Sequence, residues 1–439
     1  MGDVIIDGTV GANRLLILDA NGKIPAVDGS AVTNVAGANF STGTIPVARI
    51  DTGATANKVV KLDGNAKLPA VSGAALTGVE SATKSASDPT ISTNPSGGVG
   101  TEWHNTSTGE VYICTDATAG SNIWKNVGGL AGDISGWRWQ GAEYGYWCGG
   151  YTTSAPNRRD NITRFSFTSD GNATDGGNLT AGKNAMYGTA SSTYGYMAGG
   201  NLGPAKTNVI ERFPFSNPSA NGADVGDLTN TYNGSGNGHS DGSYGYIAGG
   251  SYPGDRANQI EKWQLVASAN SVDRGDLTSR RSSLANTQSV TYGYCAGGTY
   301  ANSTAVNTID KFAFANSNNA SDVGDLTTVM EAAGGCSSTT HGYACSGDYT
   351  GDSGGNLKTT NIQKYSFASD GNSALCGNTT YAHSYGMAVS STTHGYNMGG
   401  NTGSTYFNNI DKFSFASEGF GSDVGDLILA PHMGGACQF

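Results

Sequence analysis

The side chains best suited to metal or acid–base chemistry are six histidines, His104, His239, His341, His383, His394 and His432, scattered along 439 residues. No H-x-x-x-H or H-E-x-x-H spacing sets two of them on one element, so structural roles are expected. His341 and His394 simply stand where sister segments carry Tyr. The aspartates of "DVGDLT" from Asp224, recurring from Asp322 and as "DVGDLI" from Asp423, could hold calcium in principle. Calcium needs six or more converging oxygens, which two carboxylates three positions apart do not supply. The cysteines, Cys114, Cys148, Cys295, Cys336, Cys345, Cys376 and Cys437, form no C-x-x-C pair and fit neither a zinc module nor a disulfide framework. They read as small buried packers and point to assembly in a reducing cytoplasm. No nucleophile, base and orienting group stand together, so we expect no enzyme, no cofactor and no metal.

Chemistry of recognition is better represented. Tyr151, Arg158, Tyr252, Arg256, Tyr300, Tyr349 and Tyr406 fall in one set of variable segments, and Arg280, Arg281, Tyr381 and His383 in a second. Tyr and Arg offer area, planarity and hydrogen bonds at modest entropic cost, which suits a receptor-binding surface. Acidic groups outnumber basic ones, 35 to 24, and the net charge of −11 would repel a nucleic-acid backbone. Nucleic acid is therefore not an expected partner. No stretch approaches bilayer-spanning length, and "MGDVIIDGTV" lacks the basic region and apolar core of a secretory signal.

The elements that must carry these residues are repeats. "YGYWCGG" from Tyr144 recurs as "YGYMAGG", "YGYIAGG", "YGYCAGG", "HGYACSG" and "HGYNMGG", the last from His394. An Ile-led strand follows each, as in "NVIERFPF" and "NTIDKFAF". Period-2 alternation sends Phe213 and Phe215 to one face and Ile210 to the other, so both faces of the sheet should be covered. "DVGDLT" and its relatives read as a short outer strand. Small Gly- and Ser-rich pieces such as "AMYGTASS" and "SYGMAVSS" read as strands for a crowded axis. The first repeat lacks that last piece, whereas the chain closes with an unused one, "PHMGGACQF". Pairing the two would give six four-stranded units and remove the open edges.

With the double glycine ending the second strand and an aromatic in the third, these residues resemble the Kelch-type β-propeller. The resemblance implies an all-β fold: a six-bladed Kelch-like β-propeller over residues 131–439, closed by the C-terminal strand. Some propellers are sialidases, but the S-x-D-x-G-x-x-W boxes of that group are absent. In a four-stranded meander the loops after the second and fourth strands share one face, which is where the Tyr and Arg residues fall.

The first part of the chain is written differently. "LDANGKIPAVDGSAVTNV" from Leu18 matches "LDGNAKLPAVSGAALTGV" from Leu62, with too little apolar material for a core of its own. These copies resemble the shaft and attachment repeats of tailed-phage tail fibres, in which three chains wind together. "NPSGGVGTEWHNTSTGEVYICTDATAGSNIWKNVGG" from Asn94 resembles a small β module of the same fibres, with Trp103, Tyr112 and Trp124 as its apolar centre. The expected layout is a fibrous virion-attachment region at 1–80, a linker at 81–93, the module at 94–130 and the propeller at 131–439. The resemblance implies a homotrimeric tail fibre or adhesin on the virion. Its N-terminal region would contact other virion proteins, and its propeller loops a host-surface glycan or protein. A decoration or appendage protein of capsid or tail, without a receptor, and a glycan depolymerase are the alternatives.

Overall fold

The computed structural model describes residues 82–127 and 139–439, apart from 235, 253, 301–303 and 351–355. The expected shaft at 1–80, and the trimer it implies, lie outside the described residues. Within them the protein is all-β, its strands falling into several sheets. No helix among these residues is long and apolar enough to cross a membrane.

The small module is a four-stranded sheet of Thr83–Ser85, Glu102–Asn105, Val111–Asp116 and Ile123–Asn126. Tyr112, Cys114 and Trp124 form its buried centre, with Trp103 edge-on to Trp124 at 5.9 Å. The segment expected as a linker belongs to this unit. Thr83–Ser85 pairs in parallel with Trp103–Asn105, the Trp103 indole donates to the Ser87 carbonyl, and the Asn122 amide donates to the Ile91 carbonyl. Its Ser- and Thr-rich composition resembles a linker because its hydrogen bonds, rather than apolar side chains, dock it.

Among the described residues from 139 onward the strands form six sheets of four or five strands, numbered here as units I to VI, and one two-stranded hairpin, Ser251–Tyr252 with Asp255–Arg256. Unit II shows the order: Tyr187–Ala190, Tyr194–Ala198, Val209–Pro214 and Ala223–Asp227, inner to outer. Units III to VI repeat it with second strands Tyr244–Ala248, Tyr292–Ala296, His341–Thr350 and His394–Met398. Unit I contains Tyr144–Cys148, Asn161–Ser166 and Thr174–Asn178, and its inner strand is Gly435–Gln438. Gly435 pairs with Cys148 and Gln438 with Gly145, antiparallel.

The repeated phrases have steric causes. In "GY" the glycine lies beneath an aromatic ring of the third strand: a Cβ on Gly195 would sit 2.5 Å from Phe213 Cζ, and Gly145 meets Phe165 in the same way. The tyrosine that follows turns to the next unit. Tyr146 stands 5.1 Å from Phe215, Tyr246 4.9 Å from Phe314, Tyr294 4.7 Å from Phe367, Tyr343 4.9 Å from Phe415, and Tyr396 4.8 Å from Phe167. Each such pair contributes about 0.5–1.5 kcal/mol beyond simple burial. Between II and III, Leu265 takes the aromatic's place and its carbonyl accepts the Tyr196 hydroxyl.

Polar bonds follow the same succession. The Thr of "DLT", or of "NLT" and "NTT" in units I and V, donates its backbone N–H to the residue after the Ile of the next unit. Thr180 thus donates to Glu211 (2.7 Å), Thr229 to Glu261 (2.9 Å), Thr278 to Asp310 (2.9 Å), Thr327 to Gln363 (2.8 Å) and Thr380 to Asp411 (2.6 Å). Between VI and I the pair is replaced on both sides: Ile428 stands for the Thr and Thr163 for the acid, and the two share a small cavity with Trp147. Along the outer rim, turn asparagines receive the N–H of the preceding unit's outer strand. Asn221 accepts from Asn178 and Asn270 from Asp227, and the series includes Asn172 accepting from Asp426.

At the opposite, inner side, backbone bonds link the segments that lead into the inner strands. Gly234 donates to Ala185, Ala185 to Met433, Met433 to Tyr385, Tyr385 to Ala332 and Ala332 to Ser283, all at 2.6–2.9 Å. Ala185, Ser283, Ala332, Tyr385 and Met433 all hold φ near +55°. Five side-chain-bearing residues in the left-handed region at one repeat position show that this linkage overrides local preference.

Removing Gly434–Phe439 takes away the inner strand of unit I and the packing of Gly434 and Ala436 on Trp147, leaving Tyr144–Cys148 as a bare edge. Calorimetry of the shortened chain should show loss of the cooperative transition or aggregation at lower temperature. An unchanged melt would mean that this pairing contributes little to the fold.

Candidate binding face

In five units the segment after the second strand begins with a double glycine, and in unit V Ser346–Gly347 takes its place. Gly249 and Gly250 hold φ of +66° and +112°, and a Cβ on Gly249 would lie 2.5 Å from the Arg281 carbonyl. The Gly250 N–H donates to that same carbonyl at 2.8 Å. Glycine takes these angles and so close a backbone approach without strain, whereas Ser346 holds φ +56° at the matching position of unit V. The motif thereby ties each variable loop to the segment that precedes the next inner strand, bringing the two sets of loops onto one face.

The candidates separate into clusters on this face. Tyr151 and Tyr406 flank His432, with ring centroids 5.5 and 5.0 Å away, and Tyr385 stands at 6.2 Å. Arg158 lies 5.5 Å from the Tyr151 ring, while its Nε donates to Asn184 Oδ1 and the Asn201 carbonyl. Burial lowers the His432 pKa to about 4, and its Nδ1 has no hydrogen-bond partner. Tyr381 is exposed and stacks on Phe407 at 5.0 Å. Tyr252 is half-buried, edge-on to Tyr232 at 6.4 Å. Tyr349 sits on the long hairpin His341–Thr350/Asn356–Ser366 beside the Asp348–Lys358 ion pair. The Tyr300 N–H closes a turn on the Thr304 carbonyl.

Two arginines adjacent in sequence have opposite fates. Arg280 is exposed and pairs with Asp255. Arg281, expected on the binding surface, is fully buried instead. Its guanidinium pairs with the equally buried Asp310 at 2.7 Å, and Nη1 donates to the Gly297 and Thr308 carbonyls. Lys183 and Glu211 make the corresponding ion pair between units I and II, two junctions earlier. Arg281 is therefore an internal strut unavailable to a partner. His383 is likewise internal: Nδ1 donates to the Tyr381 carbonyl at 2.8 Å and Nε2 lies 3.1 Å from Asn397 Nδ2.

Near the inner linkage the face has a cavity of about 160 Å³, lined among others by Asn233, Ser251, Arg256, Ser283, Tyr385 and Met433. Of these, only Arg256 was legible as a candidate. Tyr385 could have been found by aligning the position it shares with Ala185, Ser283 and Ala332, where it is the one aromatic. Neither a protein-family model nor a curated protein matches the chain.

Two measurements follow. Asp310→Ala leaves the Arg281 charge buried without its carboxylate and should destabilise the fold by about 3–5 kcal/mol in denaturant unfolding. Arg280→Ala should fall within the scatter of ordinary surface changes; equal effects would contradict the burial difference. The second concerns acid. Burial pushes His239 and His432 down to about 4, and lowers His383 as well. The unfolded chain takes up these protons near pH 6.5 while the folded one does not. Stability should therefore be level above pH 6.5 and fall as the pH drops from there toward 4. His432→Gln should shallow that decline in a melting-temperature series, and an identical slope would exclude His432 as a contributor.

Proposed function

We propose that residues 131–439 form a six-bladed Kelch-like β-propeller, closed by the pairing of Gly435–Gln438 with Tyr144–Cys148, and that its loop face binds a host-surface receptor. In this reading the chain is a tailed-phage virion protein, a homotrimeric tail fibre or adhesin attached to the particle through residues 1–80. Support for closure comes from the contacts between units VI and I, where Phe167 meets Tyr396 and Asn172 accepts from Asp426, as at the other junctions. Support for the virion assignment comes from the likeness of the "LDANGKIPAV" and "LDGNAKLPAV" copies to fibre repeats.

The observation that carries the binding role is the contrast between scaffold and loops. The strands keep one set of steric and polar contacts through successive units, whereas the loops share little beyond the double glycine and collect Tyr151, Arg158, Tyr252, Arg256, Tyr381 and Tyr406 on one face. Half-buried tyrosines beside cations suit the stacking and hydrogen bonding by which a glycan is held. The face is read as one for attachment, without turnover: the His383 ring nitrogens are engaged internally, and His432 is wedged among aromatic rings.

If each aromatic contact contributes on the order of 1 kcal/mol, single changes should weaken attachment only several-fold, with avidity across three chains masking part of the loss. Replacing Tyr151, Tyr252, Tyr300, Tyr349 and Tyr406 together by Ala should abolish adsorption of the purified protein to host cells at an unchanged melting temperature. Full adsorption by the folded quintuple variant would remove this face as the receptor site and favour a decoration or appendage role.

A further inference from the structure

The cavity beside the inner linkage has an unusual charge arrangement. Arg256 reaches it from the loop of unit III, and Nη1 donates to Ser251 Oγ at 3.1 Å while Nε is buried with no partner. Lys206, from the loop of unit II, approaches the same serine, with Nζ 2.9 Å from the Ser251 carbonyl and 3.1 Å from Oγ. Neither cation forms an ion pair among the described residues, although Asp255 and Asp348 nearby are each paired, with Arg280 and Lys358. Two cations converging on one hydroxyl repel each other, and burial and the Arg256 charge both lower the Lys206 pKa. A bound anion relieves that repulsion.

The other walls specify what should accompany the anion. Tyr385, an aromatic residue, and Met433 lie on the same lining. Asn233 Oδ1, also on the lining, is buried without a hydrogen-bond donor. Ser282 and Ser283 add further polar groups. An aromatic platform, an orphaned acceptor and hydroxyls together match a small ring bearing several O–H groups. A cavity of about 160 Å³ accommodates one such ring.

We propose that this cavity binds a single acidic sugar residue, its carboxylate held by Arg256 and Lys206 across Ser251, its ring against Tyr385 and a hydroxyl donating to Asn233. The inference rests on the loop face being the receptor site and names the class of glycan it selects. Arginine's planar fork matches a carboxylate in two parallel bonds, which is why the carboxylate is favoured as the anion. Glu331 acts against the ligand. Its carboxyl is raised by burial and by the neighbouring Asp348, while Arg256 and Lys358 pull it the other way, so it competes with an incoming anion for Arg256.

The test uses the full chain and serum-albumin conjugates displaying D-glucuronate, N-acetylneuraminate, D-glucose or glucose-6-phosphate, with inorganic phosphate as competitor. Surface plasmon resonance should register at least one carboxylated conjugate and no glucose conjugate. Arg256→Gln and Lys206→Met should each weaken that binding at least tenfold at an unchanged melting temperature, whereas Glu331→Gln should strengthen it several-fold. The gain in Glu331→Gln cannot come from a damaged fold, so it separates ligation from misfolding. Equal binding of glucose and carboxylated conjugates, preference for the phosphorylated sugar, displacement by inorganic phosphate alone, or no binding of either acidic conjugate would each overturn the proposal. Host-cell adsorption by the Arg256→Gln protein is read in parallel. Adsorption that survives while depending on the five tyrosines would reject the acidic-sugar subsite but keep the receptor face. Adsorption independent of both would reject the face itself.

Discussion

The backbone linkage from Gly234 through Ala185, Met433, Tyr385 and Ala332 to Ser283 is the constraint on which the remainder of the architecture depends. The segments leading into the inner strands join their peptide groups to one another, so these groups find partners within the chain. They find them by holding residues such as Ala332 and Tyr385 at φ near +55°, at a cost of about 1 kcal/mol or more each. Small residues before the inner strands, the double glycines that bring loops against these segments, and the aromatic steps between units all accommodate this linkage.

The same linkage explains how the loop face acquires depth. Variable loops usually carry function because they are displayed on a rigid support. Here the support is itself close to the surface: the cavity lined by Arg256 and Tyr385 has residues of the inner linkage, including Met433, for part of its wall. A ligand there touches both variable and repeated residues. The overall charge of −11 therefore says little about local preference, because Arg256 and Lys206 meet where nearby carboxylates are already engaged or buried.

Much of the fold was legible because its rules are local. Tyrosine after glycine, aromatics two apart and a missing inner strand near Tyr144 can all be read from spacing. The polar steps were harder. Thr278 and Asp310 lie 32 residues apart, and nothing about either one alone marks it as half of a pair between units. For the same reason Arg281 read as a surface residue: its sequence neighbours are polar, and only the depth of Asp310 shows where it points. At 81–93 composition misled in the opposite direction, since Asp88 and Ile91 dock by accepting hydrogen bonds from Asn105 and Asn122 without contributing a core. Of the binding face, the Tyr and Arg content was visible, whereas the gathering of Arg256 and Tyr385 at one opening, with Lys206 reaching its Ser251, required the fold.

A chain made of near-copies faces a counting problem, because a strand that fits its own neighbour also fits others nearly as well. The exchange at the junction of units VI and I bears on this. Elsewhere a threonine N–H seeks a carboxylate or amide, but here Ile428 meets Thr163 beside Trp147. Ile428 placed against Glu261 or Asp310 would deny a buried carboxylate the hydroxyl donor that Thr229 or Thr278 supplies. The seam thus works as an address: it makes an end set in the wrong register a poorer fit than the matched one.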